Sequence, residues 1–333
     1  MKQVFPGIIR IKERGSFGAI KPPINIYILL GENGLIFDAG YGLKSSSMFL
    51  VNSVKRIKSY FHSKNTSINI TRILPSHSHP DHIAGISKIQ KDLALELILT
   101  EEMYEHMKNK EAYRSHYRES HPSELYKVNS LKTRINFHSQ RVLSTFFYKI
   151  IYGISFDYKV DKIIQSDSKL HIGGKIWKII PSPGHTSDHI SLYNEDTGIL
   201  FSGDNILRSI TTWLGPPESN IKQYITSLQE IKGLSNLRMI FPAHGSPIME
   251  PKKRIEEIIS HRKKRTNQLL KIIQFSGSEG ITPKKILQML YPGESGFFHR
   301  MARGWVSLTL NMLEEEQKIS KNIKDREFLF FSN

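Results

Sequence analysis

A layered α/β fold is predicted for this 333-residue chain, with sheets packed together and helices outside. Three observations predict it. Apolar, β-branched runs come first in pairs and then mix with helical spacings, and that order recurs twice along the chain. Polar, ligand-type residues stand close behind several of these runs, as they do where strand ends display functional side chains. The composition, 39% hydrophobic and 23% charged, is that of a globular protein.

The elements follow in order. Residues 4–11, 24–30 and 34–37 read as strands, broken by Pro22-Pro23 and by Glu32-Asn33-Gly34. The Gly-containing turn makes the last two a hairpin. Residues 49–61 have helical spacing, 68–74 read as a strand, 83–89 as a helix and 95–99 as a short strand. Residues 101–117 form a charged helical run that Pro122 interrupts, and 131–152 resume it with Phe137, Phe146, Phe147, Tyr148 and Tyr152. A helical insertion is therefore expected over about 101–165, either packed over the sheet or standing as a lid or substrate wall. Strands return at 175–180, 190–193, 198–202 and 239–241, with a helix at 221–231 before the last.

The composition shifts at Pro251, so a unit over 1–250 and a smaller one over 251–333 are expected. Residues 252–275 form a long basic amphipathic helix, and 277–280 a linker. Thr282-Pro283 is an N-cap with proline at the first helical position. It opens a helix at 284–290, and another follows at about 297–316. Two apolar runs around Lys324-Asp325 suggest a hairpin, which completes the layout of a small winged-helix module.

The formal net charge is +16. Such a field draws nucleic acid, anionic lipid or acidic metabolites. The lysines are spread along the chain rather than massed, so solvated lysine-rich faces are the simpler reading. No apolar run approaches the ~18–20 residues of a membrane span, and residues 1–30 lack the order of a signal peptide. Cysteine is absent, which excludes disulfides and thiolate ligands and fits a reducing compartment. A cytoplasmic protein without membrane association is expected, and a homo-oligomer is compatible with the sequence.

His77-Ser78-His79-Pro80-Asp81-His82 is the densest chemical signal. No packing need explains so many imidazoles in one turn. Imidazole suits zinc, and a carboxylate can share the site. Phe37-Asp38-Ala39-Gly40, Pro183-Gly184-His185-Thr186, Phe201-Ser202-Gly203-Asp204 and Phe241-Pro242-Ala243-His244-Gly245 add ligands or supports. Each of these is weak alone, and their order makes them specific.

In that order they resemble the motifs of the metallo-β-lactamase superfamily, over about residues 1–250. The resemblance implies a four-layer αββα sandwich and two metal ions, with 101–165 longer than the usual spacer. His77, His79 and His185 would bind the first ion, Asp81, His82 and His244 the second, and Asp204 would bridge them. Asp38 would brace the His loop without touching metal, and His189 would support rather than ligate. Zinc fits best, although iron or manganese can occupy similar sites. Two cations held by neutral imidazoles and few carboxylates ionise a shared water near neutral pH. The hydroxide is then the nucleophile, with Asp81 helping to orient it.

Departures narrow the branch. Asp204 and the lack of cysteine argue against an antibiotic-hydrolysing lactamase, and His79 stands where flavin di-iron oxidases would carry Glu. No domain is inserted before His244, which argues against the large RNA-processing exonucleases. Residues 242–248, His261-Arg262 and Tyr291-Pro292 resemble the branch with a winged-helix tail, which includes an endoribonuclease acting on single-stranded RNA. His261 could approach the active site or serve domain packing, and packing is the expectation. Two functions follow. One is a zinc hydrolase of a small ester, thioester or lactone, with a small-molecule substrate in a partly apolar pocket. The other is a metal-dependent endoribonuclease. There RNA phosphates would meet Arg134, Arg141, Lys252, Lys253, Arg254, Lys263, Lys264 and Arg265. A non-catalytic binding protein is disfavoured by the intact ligand set.

Overall fold

The computed structural model describes residues 1–15, 21–116, 148–294, 296–325 and 327–333. Two sheets form its centre. The first has seven strands in sequential order: β1 (Lys2–Phe5), β2 (Ile8–Glu13), β3 (Ile24–Leu29), β4 (Gly34–Phe37), β5 (Ile70–Leu74), β6 (Glu96–Thr100) and β7 (Lys162–Ile164). Its first four strands are antiparallel and the pairs from β4 to β7 are parallel. The second has five, ordered β12 (Met239–Phe241), β11 (Ile199–Phe201), β10 (Ile190–Asn194), β9 (Lys175–Pro181) and β8 (Lys169–Ile172). Only the β11–β12 pair in it is parallel.

Helix α1 (Lys44–Ser63) buries Leu50, Val51, Val54 and Ile57 against the first sheet. The spacing is that of one helical stripe. Helices α2 (Pro80–Ile83) and α3 (Ile86–Leu93) follow the His loop, and α4 (Glu101–Met107) and α5 (Lys110–His116) follow β6. Helix α6 (Ile221–Lys232) and the first half of α7 (Pro251–Phe275) cover the second sheet through Tyr224, Leu228, Ile255 and Ile258. The order is therefore helix, sheet, sheet, helix.

Between the sheets Phe201 is fully buried, with its ring centroid 4.8 Å from Tyr27, 5.7 Å from Phe37, 5.4 Å from Trp177 and 5.6 Å from Phe241. This aromatic cluster joins residues of both sheets. A separate core holds the end of the chain. Leu269 and Ile273 from the second half of α7 pack with α8 (Pro283–Leu290), α9 (Gly296–Glu315), β13 (Ile319–Lys324) and β14 (Glu327–Ser332). The last two strands pair as the expected hairpin.

Several expectations change in detail. The strand expected over 4–11 is two, because the chain turns at Pro6-Gly7, where Gly7 has φ +78°. The helix expected over 83–89 is likewise two short ones. Strands β7 and β8 went unread, being short and lysine-flanked. Residues 162–164 thus belong to the sheet, at the end of the stretch expected to be a helical insertion. Pro122, Arg134, Arg141 and the helix expected over 131–152 lie outside the described residues, apart from a π-helical turn at Tyr148–Tyr152. Truncating Phe201 leaves a cavity where the sheets meet, so Phe201→Ala is expected to lower stability by about 3–5 kcal/mol. Urea denaturation followed by tryptophan fluorescence and circular dichroism measures it.

Candidate metal centre

The chemistry gathers at the carboxyl ends of neighbouring strands. Asp38 follows β4, the His loop follows β5, Asp204 follows β11 and His244 follows β12. His185 lies in the turn between β9 and β10, and His189 stands just before β10. The parallel pairings of β4 with β5 and of β11 with β12 put these ends on one edge.

The His77 Nε2 and His185 Nε2 atoms each lie 2.9 Å from His79 Nδ1. On the other side His244 Nε2 lies 3.3 Å from Asp81 Oδ2, and His82 Nε2 lies 3.8 Å from Asp81 Oδ1. Asp204 stands between the groups. Its Oδ2 faces His185 Nε2 at 3.7 Å, and its Oδ1 faces His244 Nε2 at 3.4 Å and His82 Nε2 at 3.6 Å. The structure therefore brings together all seven residues expected as ligands.

The opposite ring nitrogens are anchored from behind. His185 Nδ1–H donates to Trp213 O at 2.8 Å and His244 Nδ1–H to Pro23 O at 2.7 Å. His82 Nδ1 faces Asp38 Oδ1 at 3.1 Å, His77 Nδ1 meets Ser76 Oγ at 3.0 Å, and His79 Nε2 faces Glu218 Oε2 at 3.5 Å. With the proton held outside, the inner nitrogen of a neutral imidazole presents a bare lone pair. The lone pairs of His77 and His185, each 2.9 Å from that of His79, repel it unless a cation lies among them. Ligands ~2.0 Å from a tetrahedral zinc stand roughly 3.3 Å apart, close to this spacing. Buried His82 Nε2 and Asp204 Oδ1 also find no hydrogen-bond partner among the described residues. The donors thus fit divalent metal.

The electrostatics agree. Burial opposes a charge on His244, yet Asp204 and Asp81 raise its pKa to about 9. Burial likewise disfavours the Asp81 carboxylate, but His82 and His244 hold it down to about 2. The carboxylates of Asp81 and Asp204 thus make this side of the site attract positive charge. His185 is different: burial and neighbouring His79 lower it to about 4, so it stays neutral as a ligand must.

Asp38 is buried at φ +68°, a region a short polar side chain tolerates best. Its Oδ1 accepts the Ser76 amide at 2.7 Å as well as facing His82. His189 acts on Asp204 through the backbone: its Nε2 accepts the Asp204 amide at 3.2 Å. Gly203 makes room for this, since a Cβ there would stand 2.5 Å from His189 Nε2.

Sequence reasoning missed the outer network. Asp188 Oδ2 accepts the Ser78 amide at 3.0 Å and faces His106 Nδ1 at 3.3 Å. His106 stacks on His116 with ring centroids 3.4 Å apart, and His116 Nε2 stands 3.9 Å from the Glu218 carboxylate. Asp188 stands three residues after His185 and one before His189, and that proximity was the available signal. Glu218 carried no local signal. The expectation for His261 is also corrected. His261 is exposed, and its neighbour Arg262 is the buried one.

Packed sheets with imidazoles and carboxylates gathered at their strand ends define an architecture able to hold divalent metal. Residues 21–244 match the model of the metallo-beta-lactamase superfamily, and the chain belongs to that superfamily. A beta-lactamase-like protein 2 homolog of Caenorhabditis elegans is 33% identical over 150 residues, which cover 45% of this chain and 48% of that protein. The Drosophila melanogaster homolog is 32% identical over 179 residues, covering 50% and 59%. The chain thus spans about half the length of these curated relatives. An atrochrysone carboxyl ACP thioesterase of Cryptosporiopsis sp. is 24% identical over 180 residues, covering 50% and 54%. Among solved structures, a metallo-beta-lactamase family protein of Thermus thermophilus shares the fold over 99% of this chain and 100% of its own, with TM-score 0.72 and 19% identity.

Asp38→Asn keeps the shape and the backbone preference while removing the charge behind His82. It is expected to lower metal affinity by about 10- to 100-fold with the circular dichroism spectrum unchanged, as read by competition titration with a chromophoric chelator. Asp188 gives a pH prediction. Burial would raise its pKa, but His106 and the Ser78 side chain hold it well below the usual carboxylate range. The unfolded chain therefore binds more protons, and the contribution is fully present only above about pH 3.9. It is lost as pH falls from there through the folded value. Asp188→Asn is expected to flatten the acid limb of the stability curve, measured by urea midpoints across pH.

Proposed function

We propose that the chain is a dinuclear zinc-dependent hydrolase of a small ester, thioester or lactone. His77, His79 and His185 hold one ion and Asp81, His82 and His244 the other, with Asp204 shared. One observation carries the reading: the inner nitrogens of His77 and His185 each lie 2.9 Å from that of His79, with outer nitrogens turned toward oxygen atoms. Iron or manganese suits the same donors. Such cations, when bound, lower the pKa of a water toward neutrality and polarise an acyl carbonyl.

The chain's own groups supply the rest. Asp81 orients the attacking water, and Asp204 keeps the two groups of imidazoles in register. Asp38, His189 and Glu218 fix the orientation of what they touch. The likeness to a protein named as an ACP thioesterase supports the acyl-ester class. We read residues 1–250 as the catalytic unit and 251–333, a long helix, two helices and a hairpin, as a winged-helix module. The lack of cysteine supports a cytoplasmic setting.

The endoribonuclease reading is weakened by two of its own arginines. Arg254 Nε donates to Leu207 O at 2.8 Å, and the Arg265 guanidinium lies 4.5 Å over the Tyr291 ring and 5.0 Å from that of Trp305. Both are engaged within the fold rather than offered to phosphate.

Metal analysis coupled to a hydrolysis panel of esters, thioesters, lactones, phosphodiesters and RNA tests the proposal. Two metals per chain and acyl hydrolysis with little salt dependence are expected. Asp204→Ala is expected to lose both metal and activity. RNA cleavage that falls steeply with salt, with no acyl substrate turned over, would overturn the substrate class. Two metals retained in Asp204→Ala would overturn the shared role of that carboxylate.

A further inference from the structure

The connection from β11 to α6, residues 202–220, contains neither helix nor strand. Loops of this length inside a compact fold are uncommon and need an ordering device. This one supports much of the His77, His79 and His185 group. Trp213 O accepts from His185 Nδ1, and Thr212 Oγ1 lies 3.4 Å from the same nitrogen. Ser219 Oγ donates to His185 O at 2.6 Å, and Glu218 stands behind His79.

The ordering device comes from the end of the chain. Arg254 of α7 donates to Leu207 O and, at 3.0 Å, to Ile210 O. Two helical turns on, Arg262 donates to Thr212 O. Helix α9 adds a close approach, since a Cβ on Gly304 would stand 3.0 Å from Gly215 Cα. Arg262 is only 7% exposed and lies on the apolar stripe of Ile255, Ile258 and Ile259. Among the described residues no carboxylate lies within ion-pair distance of it. Its guanidinium gains only a carbonyl and the Tyr224 ring face at 5.9 Å. Desolvating a guanidinium for so little is unfavourable, and an apolar side chain would suit the stripe better. The compensating gain must lie in what the Thr212 carbonyl is joined to.

We propose that Arg262 is a positioning residue for the first cation: it fixes Thr212, and with it the Trp213 carbonyl that orients His185. The C-terminal helix is then a component of the metal centre rather than an appendage. This rests on the reading that His77, His79 and His185 hold a cation.

Zinc titration of the full-length chain against a chromophoric chelator tests it, using wild type, Arg262→Met, His185→Ala and the double variant. Arg262→Met is expected to weaken one site about 10- to 100-fold, the same site that His185→Ala removes. The other site should stay within about threefold. In the His185→Ala background Arg262→Met should change nothing further, because coupled residues are not additive. Arg262→Lys should recover part of the loss. Equal weakening of both sites, additive effects, or unchanged affinities would overturn the proposal. Should Arg262→Met fail to fold, Arg254→Met is read by the same criteria, since it releases the same loop. A wild type that binds no zinc would sink the metal reading itself. Two zinc ions in both wild type and Arg262→Met, equally tight, would sink only this inference.

Discussion

Everything at the strand ends depends on imidazoles held by their outer nitrogens. A histidine that gives its proton to a carbonyl or carboxylate behind it has no freedom to swap tautomers. Its remaining lone pair then points where the scaffold sends it. Four rings are treated in this way, by oxygens of Asp38, Glu218, Trp213 and Pro23, and the His77 ring meets the Ser76 hydroxyl. The resulting crowding of lone pairs and carboxylates is unfavourable in an empty cavity and favourable around positive charge. Rigidity at the edge of the sandwich is therefore the condition for the chemistry.

The sheets provide that rigidity. Aromatic packing around Phe201, three positions before Asp204, joins residues of both sheets. The His244 turn is tied across the gap as well: Tyr27 Oη donates to Pro242 O at 2.9 Å, and the Asn25 amide to Ala243 O at 2.7 Å. Donors from the first sheet thus hold a residue that follows the second. Neither sheet alone could present the complete set.

Most of this was legible in the sequence, for a physical reason. Ligands and supports that leave a strand end carry a local signature, an apolar run that leads into polar residues, and Asp38, His77 to His82, Asp204 and His244 all show it. Supports recruited by tertiary approach show nothing local. Glu218 and His106 are ordinary charged or polar residues until folding sets them against His79 and Asp188. The Trp213 carbonyl is backbone, which no residue type betrays. Two signals were present and unread. Gly173 and Gly174, both at positive φ, form the turn between β8 and β9. Arg262 stands seven residues after Ile255, on the buried stripe, whereas His261 falls about 100° off it.

Helix α7 contributes Ile255, Ile258 and Ile259 to one apolar interior and Leu269 and Ile273 to another. A continuous rod shared by two interiors couples their melting. Neither half can reach its unfolded ensemble without stripping the apolar flank from the other. Hinge bending between them would have to break hydrogen bonds in the middle of the rod, so freedom of relative movement has been exchanged for a common thermal fate.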